Sequence, residues 1–255
     1  MSYSRHIPPH SRPRLILSVD PVAAMRVSRK GVDPDPVHFA LDAEMAGLEG
    51  IKAHLRLDRR HIQEQDVELF IRLLKSDFYL QMSTNQDVVH LVNTLRPKYI
   101  ILVAERRDEV STETGLDVAL LAKQLLPVIR EIDGRQTKVF LAVDPDMEQI
   151  RAAAKLEVHG LCISVRDYML HQGFTFRKND KLKQMLDAVQ LSVKYGLETH
   201  LFNNISWSAL PLLAHIPGVT AIHLGHQFIS ACMFNGIQAA VMSYRERLKL
   251  RHDPS

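Results

Sequence analysis

Cysteine is nearly absent. The 255 residues hold two, Cys162 and Cys232, each in apolar surroundings and without metal-type spacing. Two such thiols make no disulfide framework and read most simply as buried groups in a reducing compartment. Base-stacking aromatics are sparse, with one Trp and six Tyr. Charge of one sign is also lacking: 32 Lys+Arg stand against 29 Asp+Glu, a net of +3. The small excess is local, in Arg5, Arg12 and Arg14 at one end and Arg245, Arg247, Lys249 and Arg251 at the other. No nucleic-acid partner is therefore expected. No apolar run approaches membrane-spanning length, so no membrane partner is expected. Residues 1–14 are polar and Pro-rich with no apolar h-region, which argues against a signal peptide and for a cytoplasmic protein. No His/Asp/Glu cluster has ligand spacing, so no metal is expected. No long Pro/Gly/Ser-rich linker interrupts the chain, which predicts one domain over 15–250. The segments 1–14 and 251–255 are expected to be disordered tails.

What the chain does have is alternation. Short runs rich in Ile, Val and Leu recur at 15–19, 50–54, 78–82, 99–103, 138–142, 160–163, 198–202 and 221–224. Helix-period segments follow them at 36–46, 65–75, 85–95, 116–132, 147–156, 181–195, 207–215 and 228–248. Asp35-Pro36 supplies a cap-and-N1 start signal for one of these. Continuous apolar strands mean burial on both faces, hence a parallel sheet. Eight β/α units in this length predict an α/β fold, a single (β/α)8 TIM barrel with parallel strands. An open doubly wound sheet is the competing architecture. It usually carries a Gly-rich turn after the first strand, and Asp20-Pro21-Val22 offers none.

Barrel chemistry sits where strands end. The densest such place follows Gly50-Ile51-Lys52-Ala53, a short apolar run that reads as a buried strand. There His54-Leu55-Arg56-Leu57-Asp58-Arg59-Arg60-His61 packs two imidazoles, three guanidiniums and a carboxylate into eight residues. Guanidinium forks match phosphate oxygens, which predicts an anion site with acid/base groups beside it. A solvated charged loop is the plainer alternative. His54 is a candidate proton shuttle or a structural histidine. Asp20 is an orienting carboxylate or a helix cap. Leu224-Gly225-His226 opens the last helix and is either a phosphate turn or a simple tight turn. Gln81, polar within a strand, can hydrogen-bond a ligand but cannot transfer a proton as a carboxylate would.

Several of these segments together resemble the pyridoxine 5'-phosphate synthases of vitamin B6 biosynthesis, over about 15–248. They are Ser18-Val19-Asp20 with Arg26, Pro34-Asp35-Pro36, the run from His54 to His61, the run from Glu105 to Asp117 with Thr112 inside it, and Leu224-Gly225-His226. The resemblance implies a barrel assembled as an octamer. It implies condensation of 1-deoxy-D-xylulose 5-phosphate with 3-amino-2-oxopropyl phosphate, without metal or organic cofactor. Carried over residue by residue, it implies His54 and the positions of Gln81 and Asn203 as catalytic. It implies Ser18, Asp20, Arg26, Arg56, Arg59, Thr112, Asn204, Gly225 and His226 as contacts to a phosphorylated small-molecule substrate.

The departures fall on the chemistry. The family's Asn-x-Asp-His is Ser18-Val19-Asp20-Pro21 here. Its Leu-Glu-Met is Leu80-Gln81-Met82, its Glu-x-His is Cys162-Ile163-Ser164, and its Gly-His-Gly is Phe202-Asn203-Asn204. General acid/base groups contribute about 10²–10⁴-fold each, so two amides in their place predict either altered chemistry or lost catalysis. His200 and His223 are candidate replacements for the missing groups. A transferase-like enzyme is the leading expectation. A non-catalytic paralogue that binds a phosphorylated ligand or a partner is the alternative.

Overall fold

The structure is a computed structural model that describes residues 12–105, 114–133, 137–171 and 175–250. Eight parallel strands close on themselves in sequence order. They are β1 (Arg14–Ser18), β2 (Gly50–Leu55), β3 (Asp77–Met82), β4 (Tyr99–Leu102), β5 (Lys138–Val143), β6 (Gly160–Ser164), β7 (Glu198–Phe202) and β8 (Val219–Leu224). Closure is made by β8, whose Leu224 and His223 stand opposite Leu17 and Ile16 of β1. The expected (β/α)8 barrel with parallel strands is what forms, and the open sheet is not. Each predicted strand lies within two residues of its place. Arg14, assigned to the tail from sequence, is the first residue of β1.

The helices are α1 (Asp20–Ser28), α2 (Pro36–Met45), α3 (Glu64–Leu73), α4 (Gln86–Leu95), α5 (Val118–Asp133), α6 (Met147–Ala154), α7 (Arg166–Leu170), α8 (Thr175–Lys194), α9 (Leu210–Ala214), α10 (His226–Asn235) and α11 (Ile237–Arg247). Three differences from the sequence reading matter. α1 follows β1 directly, where the sequence pattern predicts no helix. α7 is an extra turn after β6. The expected helix 228–248 is two, because Gly236 at φ 75 breaks it.

The strands sort side chains into two layers. Residues pointing outward, such as Leu15, Leu17, Ile51 and Ala53, pack beneath the helices in the main core. Those pointing inward fill the barrel with rings. Tyr79 and Tyr99 stack at 4.5 Å, and Phe140 stacks on His200 at 4.7 Å. Gly160 makes room for this packing, since a β-carbon there would sit 2.5 Å from the Phe140 ring and 2.3 Å from the Glu198 carbonyl. Beneath the rings, Arg14 spans Asp77 at 2.7 Å and Glu198 at 2.8 Å. The N-terminal end of the barrel is therefore plugged. Above the plug, inward positions near the C-terminal ends of β1, β2, β3, β6 and β8 are polar, namely Ser18, His54, Gln81, Ser164 and His223, while Ile101, Val103, Ala142 and Phe202 are apolar. No described helix is long and apolar enough to cross a membrane.

Candidate active site

A cavity of about 450 Å³ occupies that mouth. Ser18, Asp20, His54, Arg56, Gln81, Asn203, Asn204, Gly225 and His226, all expected from sequence, line it. Lys52, His61, Phe202 and His223 line it too. The remaining expectations fall elsewhere. Arg26 is not in the cavity. Its guanidinium forks onto Asp66 at 2.9 and 2.6 Å and donates to the His61 carbonyl at 3.0 Å, so it braces the loop after β2 instead of touching a ligand. Arg59 is not among the lining residues either. It is turned to Glu64 at 2.6 Å and to the carbonyls of Arg56 and Leu57. Thr112 lies outside the described residues. A second hollow of about 510 Å³, between Trp207 and the outer flank of α10 and α11, gathers no comparable set of charges.

Asp20 is the one carboxylate among the described lining residues. It opens α1, and its two oxygens accept from the His54 backbone N–H at 2.7 Å and the Ser18 hydroxyl at 2.6 Å. It thereby ties the end of β1 to the end of β2. Burial would raise its pKa, but Lys52, His61 and His54 together with the Ser18 hydrogen bond hold it below the ordinary carboxylate value. Burial pushes the His54 imidazole down to about 3, with Lys52, His61 and Arg56 adding to the effect against a contrary pull from Asp20. His54 is thus neutral in ordinary buffers. Among the described residues its Nε2 has no hydrogen-bond partner, and it faces the Glu105 carboxylate at 3.9 Å. Glu105 also accepts from the Leu57 N–H at 2.8 Å, so it holds the loop that carries Arg56. Arg56 is 2 % exposed and reaches Asp58 at 3.1 and 3.2 Å.

On the far wall, Asn203 and Asn204 take φ of 77° and 59°, left-handed conformations that asparagine tolerates better than most residues. Gly225 precedes α10, whose first turn opens on the cavity. The first N–H groups of a helix have no partner inside it, which suits an anion.

Lys52 is the charged lining residue that the sequence pattern does not single out. In the sequence it lies within the short apolar run 50–53. The signal was its spacing: Lys52 and His54 alternate on β2, so both point inward. Its Nζ donates to the Gln81 Oε1 at 2.6 Å. Burial lowers its pKa below the usual lysine value, opposed by Asp20.

The candidate replacement histidines differ in place. His223 lines the cavity floor. His200 lies below it, fully buried, with its Nε2 3.1 Å from Glu198 and its Nδ1 3.0 Å from His223 Nε2. With Cys162 they form a group whose ligand atoms all lie within 4.8 Å of one another, the one set among the described residues that could hold a metal ion. Sequence spacing could not show it, because its members come from three strands. Lys52 and Arg14 set positive charge against a cation there, and both contribute to holding the His223 pKa well below its usual value after burial and His200.

The chain matches the family model for the pyridoxal phosphate biosynthesis protein PdxJ over residues 15–250. It is 33 % identical over 234 residues to a pyridoxine 5'-phosphate synthase of Synechococcus sp. (strain JA-2-3B'a(2-13)), covering 92 % of this chain and 98 % of that one. It is 35 % identical over 236 residues to a pyridoxine 5'-phosphate synthase of Pelobacter propionicus, covering 92 % and 98 %. Among solved structures, a tryptophan synthase chain from M. tuberculosis in an open form with BRD0059 bound superposes with a TM-score of 0.62 at 11 % identity, covering 94 % of each. KGPDC from Streptococcus mutans superposes with a TM-score of 0.59 at 10 % identity, covering 94 % and 98 %. These two share the fold alone. With a family-model match over residues 15–250 and near-complete coverage of its relatives, the chain belongs to the family of the pyridoxal phosphate biosynthesis protein PdxJ.

Proposed function

We propose that the cavity binds phosphorylated carbonyl compounds and that the chain catalyses a condensation of the pyridoxine 5'-phosphate synthase type. The reactants are 1-deoxy-D-xylulose 5-phosphate and 3-amino-2-oxopropyl phosphate, or a related phosphorylated sugar and amino-ketone. The observation that carries this reading is the meeting of His54, Arg56, Asp20, Asn204 and Gly225 around one cavity. Arg56 and the first turn of α10 bind phosphate. Asp20 orients the ligand and the β2 backbone. His54, neutral and with Nε2 unpartnered among the described residues, accepts or relays a proton. Thr112 is a further contact on the strength of the family motif. The same resemblance implies an octamer, and Met233 and Phe234 on α10 and Met242 on α11 are exposed apolar side chains available to such contacts.

The non-catalytic reading has its own support in Gln81 and Asn203, amides where the family carries proton-transferring groups. Incubating the protein with both reactants and following pyridine absorbance separates the two. Turnover at ordinary enzyme rates rejects the non-catalytic reading. Turnover only in the Gln81→Glu/Asn203→His double variant marks a decayed synthase. An inactive wild type whose Tm rises with a phosphorylated metabolite is a binding protein.

A further inference from the structure

Lys52 is the one primary amine among the described lining residues of the cavity. It sits on β2 two residues before His54, on the inward face, in a wall that is rigid because each neighbouring strand is hydrogen-bonded to the next. Its nearest polar partner is an amide oxygen, that of Gln81 at 2.6 Å. An amide there accepts a hydrogen bond without demanding a charged donor. A carboxylate at the same place would hold the amine as its ammonium form.

We propose that Lys52 is a nucleophilic amine that forms an imine with the carbonyl carbon of a phosphorylated ketone or aldehyde seated in this cavity. The inference rests on the phosphorylated-carbonyl reading above and goes beyond it by naming a covalent step. The amine lone pair makes the N–C bond, and the carbonyl π pair moves to oxygen. That oxygen takes one proton from the amine and one from solvent, then leaves as water. The nitrogen keeps one hydrogen in the resulting protonated imine, which draws electrons from the adjacent carbon. No oxidant, reductant or metal is needed.

The surroundings fit this use. Lysines act as imine-forming nucleophiles when desolvation or a nearby cation keeps part of them neutral. The groups that face Lys52 are Asp20 from the start of α1, His54 on its own strand, Gln81 on β3, Cys162 on β6 and His223 on β8. Asp20 alone among them is acidic in ordinary buffers. Its oxygens are already engaged by Ser18 and the His54 N–H. Burial dominates, and the amine lies below its usual pKa. Phosphate contacts on Arg56 and α10 would fix the ligand while its carbonyl reaches the β2–β3 wall.

The test is reductive trapping. The full chain is incubated with 1-deoxy-D-xylulose 5-phosphate, and separately with dihydroxyacetone phosphate, then reduced with borohydride and mapped by peptide mass spectrometry. The expected result is one reduced adduct on the peptide holding Lys52, absent in Lys52→Arg. In Gln81→Glu the pH midpoint of trapping moves up by at least about one unit, so that trapping near neutrality falls about tenfold. Thermal melting with each probe is read alongside. A Tm rise without an adduct on Lys52, or adducts on other lysines only, overturns the covalent step and leaves the anion site standing. No Tm rise and no adduct with either probe overturns both. Should Lys52→Arg fail to melt cooperatively, the wild-type map and the Gln81→Glu pH shift decide the matter.

Discussion

Asn203 and Asn204 hold backbone conformations that most residues avoid. The cost of the left-handed region for a residue with a β-carbon is about 1–2 kcal/mol, and asparagine lessens it through local hydrogen bonding. Asn204→Ala is therefore expected to lower stability by about 1 kcal/mol, or a Tm drop of about 2–4 °C for a domain of this size. Asn204→Gly should leave Tm unchanged or raise it, and thermal denaturation of the pair checks both. The same backbone explains a departure noted in the sequence. The family has Gly-His-Gly where this chain has Phe202-Asn203-Asn204, and asparagine preserves the turn while removing the imidazole. At this scale the sequence was informative about position and less so about role. His54, Arg56 and Gly225 were legible because each sits at a strand end. Arg26 looked like an anion contact because charge type alone cannot tell a ligand from a partner forty residues away. Lys52 was missed because a single polar residue in an apolar run reads as noise until its direction is considered.

Among elements, α1 and α3 are joined by Arg26 and Asp66, whose side chains are 11 % and 3 % exposed. Asp66 also accepts from the Gln63 N–H at 2.9 Å, and Arg26 holds the His61 carbonyl. The pair thus sets the loop that presents Arg56 and His61 to the cavity. Removing one partner from a buried pair leaves the other charge unmatched, at about 3–5 kcal/mol. Arg26→Met is expected to cost that much in urea denaturation, and Arg26→Met/Asp66→Leu should recover most of it. A phosphate contact would instead have weakened ligand binding while leaving the melt alone. Strands were easier to place than helices. The former are unbroken Ile/Val/Leu runs, whereas α1 buries only Val22, Ala23 and Arg26, too narrow a stripe to stand out. Its Asp20-Pro21 start is the same kind of signal that marks α2 at Asp35-Pro36. The first turns of α8 are polar and read as loop. Gly236 divides α10 from α11, and only its positive φ reveals the break.

For the barrel as a whole, the acid limit of stability is set partly at the plugged end. Burial alone would raise the Glu198 pKa, but the His200 hydrogen bond and the charges of His200 and Arg14 bring it down to about 2 from an ordinary 4.5. A carboxylate depressed on folding stabilises the native state above its unfolded pKa and loses that contribution as pH falls through its folded one. Stability is therefore expected to decline from about pH 4.5 to about pH 2 more steeply in the wild type than in Glu198→Gln. Denaturation midpoints collected across that range measure the difference. The closed eight-strand architecture was legible from alternation alone, because buried parallel strands leave little freedom in how so many units can close. The triad of Cys162, His200 and His223 was not, since it exists only after three strands are laid side by side.

The ring-filled interior has a kinetic consequence. Tyr79, Tyr99 and Phe140 close the floor of the barrel, so that among the described residues the cavity is a well opening at the C-terminal mouth. Under the condensation proposed above, two reactants sharing it would enter in turn, the deeper one first, and the product would back out by the route its precursors took. Saturating the second reactant should then obstruct the first, giving inhibition by excess of one partner only.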